Sequence, residues 1–217
     1  MNKINSNCCR GIVVALKANF LIVEIDFKDP NQFSEKIRLL CTRRRKLDFQ
    51  GLFINVGDIV FVEAIDYKNK RAVISDVEPR KTFLKRPAVA NVSLIAICLS
   101  VEEPLFDGEQ ASRFLLSAES SNIKPFIILT KVDLINKNDL NSYINKLKCW
   151  GYDSLPVSIK NNESIDLLIQ RFRQTRLTVL AGPSGVGKTS LINHLIPSLS
   201  LPTSSVSKKL KRGIHTT

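Results

Sequence analysis

Residues 182–189 read GPSGVGKT, which matches the phosphate-loop motif G-x-x-x-x-G-K-[ST] at every fixed position. An apolar run at residues 177–181 precedes this segment, and a helix-compatible stretch at residues 190–195 follows it. In such a strand–loop–helix context, glycines let successive backbone N–H groups point at phosphate oxygens. The motif therefore predicts an α/β domain that binds a nucleoside triphosphate.

Each residue type in this phosphate loop (residues 182–189) has a chemical role. Lys188 is predicted to reach the β- and γ-phosphates and to stabilise charge during phosphoryl transfer, and the Thr189 hydroxyl is predicted to bind magnesium. The N-terminus of the following helix adds the positive end of its dipole. The predicted phosphate-binding residues are Gly182, Pro183, Ser184, Gly185, Val186, Gly187, Lys188, Thr189 and Ser190.

A second motif, Thr130-Lys131-Val132-Asp133, follows the apolar run 126–129 and is therefore expected at the carboxyl end of a strand. A carboxylate at Asp133 accepts two hydrogen bonds from the guanine N1–H and N2 amine, a pair of donors that adenine lacks. The Lys131 stem is expected to cover the base, with its ammonium near the phosphate loop. Alone, this pattern is typical of a strand-ending turn; beside a phosphate loop, it predicts guanine specificity.

We name residues 130–133 the base-reading loop. One predicted strand further on, Ser158 is expected to brace this loop, and the Ile159 N–H is expected to meet guanine O6. The base-reading loop ends 49 residues before the phosphate loop begins. In ordinary GTPases the phosphate loop comes first, so this order indicates a circular permutation, which preserves the same sheet and pocket.

The rest of the chain shows two patterns. Several short β-branched and aromatic runs separated by polar turns predict a small barrel or sandwich at residues 1–80, and an oligonucleotide-binding (OB) barrel is preferred among these. Residues 78–87 contain two prolines and four basic residues, which predicts a linker, placed at residues 81–91. From residue 92 to 217, apolar runs alternate with helical patterns, which predicts a parallel, doubly wound sheet. Helix faces are predicted at Phe114, Leu115 and Ala118; at Leu140, Ile144 and Leu147; and at Leu167, Leu168 and Phe172.

Charge favours phosphate-rich partners. The 217 residues include 32 Lys and Arg against 20 Asp and Glu, a net charge of +12. The alternative is simply a basic soluble protein.

No apolar run approaches the roughly 20 residues of a membrane span, and residues 1–10 lack a signal peptide's apolar stretch, so a cytoplasmic protein is expected. None of the five cysteines lies in a C-x-x-C pair, so no zinc ligands are expected; Cys98 is predicted to be a buried small hydrophobe.

These features resemble the ribosome small subunit-dependent GTPase A (RsgA) family. The resemblance rests on residues 86–92 (RPAVANV), the base-reading loop, the phosphate loop and residues 212–217 (RGIHTT). It implies an α/β protein with an N-terminal OB-fold barrel followed by a circularly permuted P-loop GTPase domain. It also implies a monomeric GTPase (a hydrolase acting on GTP) that uses GTP, GDP and magnesium. Its partners would be the small (30S) ribosomal subunit and its rRNA. The resemblance implies that the protein acts late in subunit assembly, that the subunit stimulates GTP hydrolysis, and that the barrel contacts rRNA.

By this resemblance, residues 212–217 form the first switch. Thr217, or else Thr216, would close over magnesium and the γ-phosphate, and His215 would position the attacking water. The alternatives are a polar tail and a solvated histidine. His194 is interpreted as a surface or packing residue.

Three departures from the family pattern stand out. Thr130 replaces the usual Asn, so a bracing hydrogen bond is expected to change. The D-x-P-G magnesium motif and the family's C-terminal zinc domain are missing from the sequence, so the GTPase domain is interpreted as incomplete and as inactive alone.

Two basic clusters are candidate contacts for RNA phosphates, with solvated loops as the alternative: Arg43, Arg44, Arg45 and Lys46, and Lys208, Lys209, Lys211 and Arg212. Three hypotheses follow from the whole sequence. The first is a ribosome-dependent GTPase. The others are an ATP-using P-loop protein and a non-catalytic RNA-binding module that senses GTP versus GDP.

Overall fold

A computed structural model describes residues 8–27, 35–45, 47 and 53–203. The chain divides into two compact units, residues 1–92 and 93–217. We retain the division into barrel (1–80), linker (81–91) and nucleotide-binding domain (92–217) as a proposal.

The first unit contains a closed barrel of five strands in the order β1-β2-β3-β5-β4. Strand β3 runs parallel to β5, and the other neighbouring strands are antiparallel. This arrangement confirms the predicted OB-like barrel. The strands are β1 (Cys9–Lys17), β2 (Phe20–Phe27), β3 (Glu35–Arg43), β4 (Ile59–Asp66) and β5 (Arg71–Val77).

Alternation of apolar and polar residues explains why these segments form a barrel. In β2, Leu21, Val23 and Ile25 are buried while the residues between them are not, as expected for a strand with one face on the core. The inward residues of all five strands form one hydrophobic cluster, which includes the fully buried Val13 and Ile74. The turn predicted at Ala18 and Asn19 joins β1 to β2.

The segment interpreted as a linker contains a β-hairpin, β6 (Phe83–Lys85) and β7 (Ala88–Ala90). Strands of three residues are too short to show periodicity, so no sequence pattern indicates them. Just before the hairpin, Arg80 donates two hydrogen bonds of 2.8 Å to the fully buried Asp58. These bonds raise the pKa of Arg80, so the ion pair holds this segment to the start of β4.

The second unit contains a four-stranded parallel sheet in the order β10-β9-β8-β11, which confirms the predicted α/β class. All seven residues of β8 are buried, as expected for a strand covered on both faces. Burial raises the pKa of the Cys98 thiol in this strand to about 12. The strands are β8 (Leu94–Ser100), β9 (Pro125–Thr130), β10 (Ser154–Val157) and β11 (Thr178–Ala181).

Helices cover the sheet: α1 (Gly108–Glu119) contacts β8 and β9, and α2 (Lys137–Cys149) contacts β10. Helices α3 (Ile165–Arg173) and α4 (Lys188–Leu195) contribute to a core cluster with Ala96 and Cys98 of β8. The side chains of Asp107 and Asn136 cap the N-termini of α1 and α2, each accepting from backbone N–H groups in the first turn. No helix among the described residues is long and apolar enough to cross a membrane.

The predicted buried face of α3 needs a correction. Leu168 is fully buried, but Leu167 is 55% exposed. Ile165 is the buried residue one turn earlier, and Phe172 packs against the same cluster one turn later. Because a helix turns about 100° per residue, adjacent leucines cannot both face the core squarely, and the stripe at 165, 168 and 172 leaves Leu167 outside.

Candidate functional site

The phosphate loop joins β11 to α4 and begins at Gly182, whose backbone only glycine can supply. Its φ is +137°, and a Cβ built there would lie 2.2 Å from the carbonyl oxygen of Cys98 in the neighbouring strand. Gly187 also has a positive φ of +93°, but a Cβ there would meet nothing within 4 Å. The first glycine is therefore required by close backbone approach as well as by conformation, and the last by conformation alone.

Lys188 begins α4, and its side chain curls back over the loop. Its Nζ donates to the carbonyl oxygens of Gly182 at 2.9 Å and Pro183 at 2.6 Å. Burial lowers the pKa of this ammonium. Thr189 and Ser190 follow in the first turn of α4, where the helix N-terminus favours anions. This geometry places one cation and the open end of a helix beside a backbone loop that fits phosphate oxygens.

The base-reading loop begins where β9 ends. Thr130 is the last residue of the strand, Lys131 has a left-handed backbone with φ of +60°, and Val132–Leu134 form one 3-10 turn that contains Asp133. The left-handed residue turns the chain sharply away from the sheet, so Asp133 lies at the carboxyl edge of the strands, where parallel sheets bind ligands.

Asp133 is held by Ser158, the residue that follows β10. The buried Ser158 hydroxyl donates to Asp133 Oδ1 at 2.6 Å and accepts from the Asn161 N–H at 3.1 Å. The bracing contact predicted for Ser158 is therefore present in the structure. The Ile159 side chain packs against the core cluster, which fixes the backbone next to the site.

Thr130 ties the base-reading loop to the phosphate loop. Its buried hydroxyl donates to the Val186 carbonyl oxygen at 2.7 Å and lies 3.3 Å from the Leu99 carbonyl oxygen. The expectation that Thr in place of the usual Asn changes a bracing bond stays a prediction; in this chain the bracing bond from residue 130 goes to Val186. Two residues 56 positions apart, one in each loop, thus share one hydrogen bond.

The side chain of Lys131 reaches the loop that follows β8, where its Nζ donates to the carbonyl oxygen of Glu103. Its predicted place over the base, with the ammonium near the phosphate loop, stays a prediction. Burial lowers the pKa of Lys131, and the negative charges of Glu103 and Asp133 partly oppose that shift. The motif indicated no partner at Glu103, because this residue lies 28 positions earlier in the chain.

The structure gathers the predicted nucleotide-binding residues at the carboxyl ends of β9, β10 and β11. His194 lies apart from them, exposed on α4, with its Nε2 3.2 Å from Asn162 Oδ1. His215, Thr216, Thr217, Lys46 and the second basic cluster lie outside the described residues. Sequence reasoning missed Glu103 and Asn161, which contribute a backbone carbonyl and a backbone N–H, groups that residue type does not reveal.

The described side chains at this site fit a magnesium ion that is held partly by substrate and water, and they do not form a metal site built from protein ligands alone. Magnesium usually takes one or two protein ligands, substrate phosphates and waters, and the Thr189 hydroxyl at the start of α4 is the one predicted for that role. Within residues 8–27, 35–45, 47 and 53–203, no group of three or more His, Cys, Asp or Glu side chains is arranged to hold a metal ion.

The chain is similar to proteins of one known family. The RsgA GTPase family model matches residues 77–217. A Prochlorococcus marinus (strain NATL2A) protein named small ribosomal subunit biogenesis GTPase RsgA is 74% identical over 222 residues, covering 100% of this chain and 71% of its own length. A Parasynechococcus marenigrum (strain WH8102) protein of the same name is 51% identical over 207 residues, covering 95% and 68%.

Two solved structures are similar to this chain in fold. YjeQ from Thermotoga maritima superposes with a TM-score of 0.76 at 31% sequence identity, over 90% of this chain and 67% of that one. YloQ, described as a circularly permuted GTPase, superposes with a TM-score of 0.72 at 27% identity, over 91% and 68%. The permuted order inferred from the sequence is thereby confirmed, and the chain belongs to the RsgA family of circularly permuted GTPases.

Proposed function

We propose that this chain binds GTP and GDP and hydrolyses GTP as an assembly factor for the small ribosomal subunit. Two hydrogen bonds carry this proposal: Ser158 holds the Asp133 carboxylate, and Thr130 joins the base-reading loop to Val186 of the phosphate loop. Together they fix the carboxylate relative to the phosphate loop. A guanine base and its phosphates need that pair of features together.

The carboxylate supports guanine over adenine. Ser158 donates to Oδ1 of Asp133, and the carboxylate retains lone pairs to accept from guanine N1–H and the N2 amine. An adenine base would bring an acceptor and no matching donors, leaving the carboxylate without partners. Asp133 is therefore the proposed specificity residue, with Lys131, Val132 and Ile159 shaping the base pocket.

The phosphate loop supports triphosphate chemistry. Phosphoryl transfer needs positioning and charge stabilisation more than covalent participation by the protein. Lys188 supplies one positive charge, and its hydrogen bonds to two loop carbonyls hold the ammonium beside the loop that would bind the phosphates. Thr189, and Thr217 beyond the described residues, are the proposed magnesium ligands. When bound, the ion would neutralise phosphate charge; His215 is the proposed positioner of the attacking water.

Relatives named for small ribosomal subunit biogenesis suggest the partner. We propose that the chain acts on that subunit as a cytoplasmic monomer and contacts its rRNA through the barrel and the basic residues Arg43 to Arg45. The net charge of +12 supports binding to a polyanion.

Phosphate release from GTP, measured with and without purified small ribosomal subunits, tests the proposal. We expect release in the presence of subunits to exceed release by the chain alone, and Lys188→Ala to give none above background. ATP replaces GTP in a parallel assay. Equal use of ATP would favour an ATP-using protein, and GTP binding without hydrolysis under either condition would favour a nucleotide-sensing RNA-binding module.

A further inference from the structure

The segment between β8 and α1 lies beside both nucleotide-binding loops. We name residues 101–107 the β8–α1 loop. At its start, the Val101 N–H donates to the carbonyl oxygen of Thr130, the first residue of the base-reading loop, at 3.2 Å. On its other side, a small cleft lies between the β8–α1 loop and the phosphate loop. The residues that line this cleft include Pro104, Phe106, Pro183 and Val186.

Hydrogen bonds from outside the β8–α1 loop hold its bend. Glu103 has a φ of +52°, in the left-handed region that disfavours residues other than glycine, so neighbouring contacts must maintain this conformation. The Lys131 Nζ donates to the Glu103 carbonyl oxygen, and the Ser100 hydroxyl donates to the Glu102 carbonyl oxygen. Burial contributes little at the tip, where Leu105 is 62% exposed. The bend therefore depends on these two side-chain donors.

Aromatic contacts anchor the far end of the β8–α1 loop on α2. The Phe106 ring centroid lies 5.2 Å from that of Tyr143, and the Lys146 Nζ lies 5.5 Å from the Phe106 centroid. Ring pairs and cation–ring pairs at such distances attract one another. The β8–α1 loop is thus attached to the base-reading loop at one end and to α2 at the other, with the phosphate loop alongside.

The length of the Lys131 side chain lets its two parts act separately. Lys131 is half-buried and has a left-handed backbone. The apolar stem of a lysine can cover a ring while the ammonium reaches a polar group beyond it. A hydrogen bond from a charged donor is stronger than one between neutral groups. Loss of the ammonium should therefore loosen the β8–α1 loop even where the stem is kept.

We propose that Lys131 is a positioning residue whose ammonium holds the β8–α1 loop in place as a third wall of the nucleotide site, across the cleft from Pro183 and Val186. Nucleotide affinity then depends on a cation that binds a carbonyl of the protein instead of a phosphate oxygen. Phe106, the second attachment, acts through the same loop. This inference rests on the proposed function in one respect, because it concerns the site that we propose for GDP and GTP.

Calorimetric binding of GDP to variants of Lys131 gives the first test. Lys131→Met keeps an apolar stem and removes the ammonium, and we expect about fivefold weaker binding, the effect of one hydrogen bond. Lys131→Arg keeps a charged N–H donor and should recover most of the affinity. Lys124→Met, at an exposed lysine of the same unit, is the matched control and should bind GDP normally.

A double-mutant cycle tests whether Lys131 and Phe106 act through the same loop. Phe106→Ala removes the ring contact and should also weaken GDP binding about fivefold. The double variant with Lys131→Met should lose only about tenfold, because independent sites would give roughly twenty-five-fold. Leu116→Ala, at an apolar residue of α1 that is 65% exposed, is the matched control and should leave GDP affinity unchanged.

Hydrogen exchange locates the effect without any nucleotide. We expect Lys131→Met to take up deuterium faster in residues 101–107, because the hydrogen bond from Val101 to Thr130 opens more often when the loop is loose. Strand β1 in the first unit serves as the internal reference and should exchange as in the wild type. Thermal unfolding of each variant verifies that it is folded at the temperature of the assays.

Three outcomes would overturn the inference. The first is wild-type GDP affinity of Lys131→Met, and the second is binding by Lys131→Arg as weak as that of the methionine variant. The third is an additive cycle with unchanged exchange in residues 101–107, which would mean that the ammonium acts on the nucleotide directly. Absence of GDP binding by the wild type would contradict the proposed function, while hydrogen exchange would still test whether Lys131 holds the loop.

Discussion

The phosphate loop follows β11 and the base-reading loop follows β9, two strands of one parallel sheet, yet different contacts hold the two loops. Backbone geometry shapes the phosphate loop: Gly182 lies against the Cys98 carbonyl, and Lys188 binds carbonyls of its own loop. Side-chain hydrogen bonds hold the base-reading loop, through Ser158 and through Thr130. Glycine backbone geometry thus shapes one loop, and side-chain hydrogen bonds shape the other.

The largest effect is expected from Gly182→Ala. The new methyl group would overlap the Cys98 carbonyl in a backbone conformation that disfavours side chains. We expect a loss of about 3 kcal/mol in the free energy of unfolding and no measurable GDP binding. Chemical denaturation and calorimetry measure the two quantities.

Gly151→Ala is the matched control for that change. Its φ of +88° is also positive, but a Cβ there meets nothing within 4 Å. Strain alone should lower the free energy of unfolding by about 1 kcal/mol, with GDP affinity unchanged. Equal losses for the two alanine variants would show that close backbone approach does not shape the phosphate loop.

Removing the charge of the phosphate loop ranks second. Lys188→Met keeps much of the side-chain volume but loses charge-assisted hydrogen bonds to phosphate oxygens, each worth about 1.5–3 kcal/mol. We expect GDP affinity by calorimetry to fall roughly thirtyfold. Lys124→Met, at an exposed lysine of the same unit, should bind GDP normally, and an equal loss in that control would contradict a specific role for Lys188.

The link between the loops ranks third. Thr130→Val keeps the shape of the side chain but leaves the Val186 carbonyl without its hydroxyl donor. An unsatisfied buried acceptor costs about 1–3 kcal/mol, so we expect roughly tenfold weaker GDP binding and a lower melting temperature. Thr130→Ser keeps the hydroxyl and should recover most of the GDP affinity; if it binds as weakly as the valine variant, the hydrogen bond is not what matters.

The smallest effect is expected from Ser158→Ala. Asp133 would lose one of its hydrogen bonds but would keep its charge and its place in the turn. A typical net contribution of about 1 kcal/mol predicts roughly fivefold weaker GDP binding. Because the carboxylate itself remains, GDP should still bind more tightly than ADP. Complete loss of guanine preference would show that Ser158, rather than Asp133, determines base choice.

This contrast explains what the sequence could reveal. The phosphate loop was predictable because glycines and a lysine at fixed spacing are local requirements. The same holds for the barrel strands, whose burial alternates residue by residue. The base-reading loop was recognisable, but the Thr130 bond to Val186 and the Lys131 bond to Glu103 depend on the tertiary fold.

Two further features escaped prediction for physical reasons. The hairpin of β6 and β7 has strands of three residues, and the ion pair of Arg80 with Asp58 joins residues 22 positions apart. In α3, the predicted buried face included both adjacent leucines, but Leu168 is buried and Leu167 is exposed. Adjacent apolar residues in a helix do not show which of them faces the core.

Calorimetric binding of GDP and ADP to this chain, with Asp133→Asn alongside, tests the guanine site most directly. We expect GDP to bind at least about a hundredfold more tightly than ADP. Asp133→Asn should lose GDP binding and gain binding to xanthosine diphosphate, because an amide N–H can donate to the C2 carbonyl of xanthine. Equal binding of GDP and ADP, unchanged in the variant, would make Asp133 a turn residue and contradict the proposed GTP specificity.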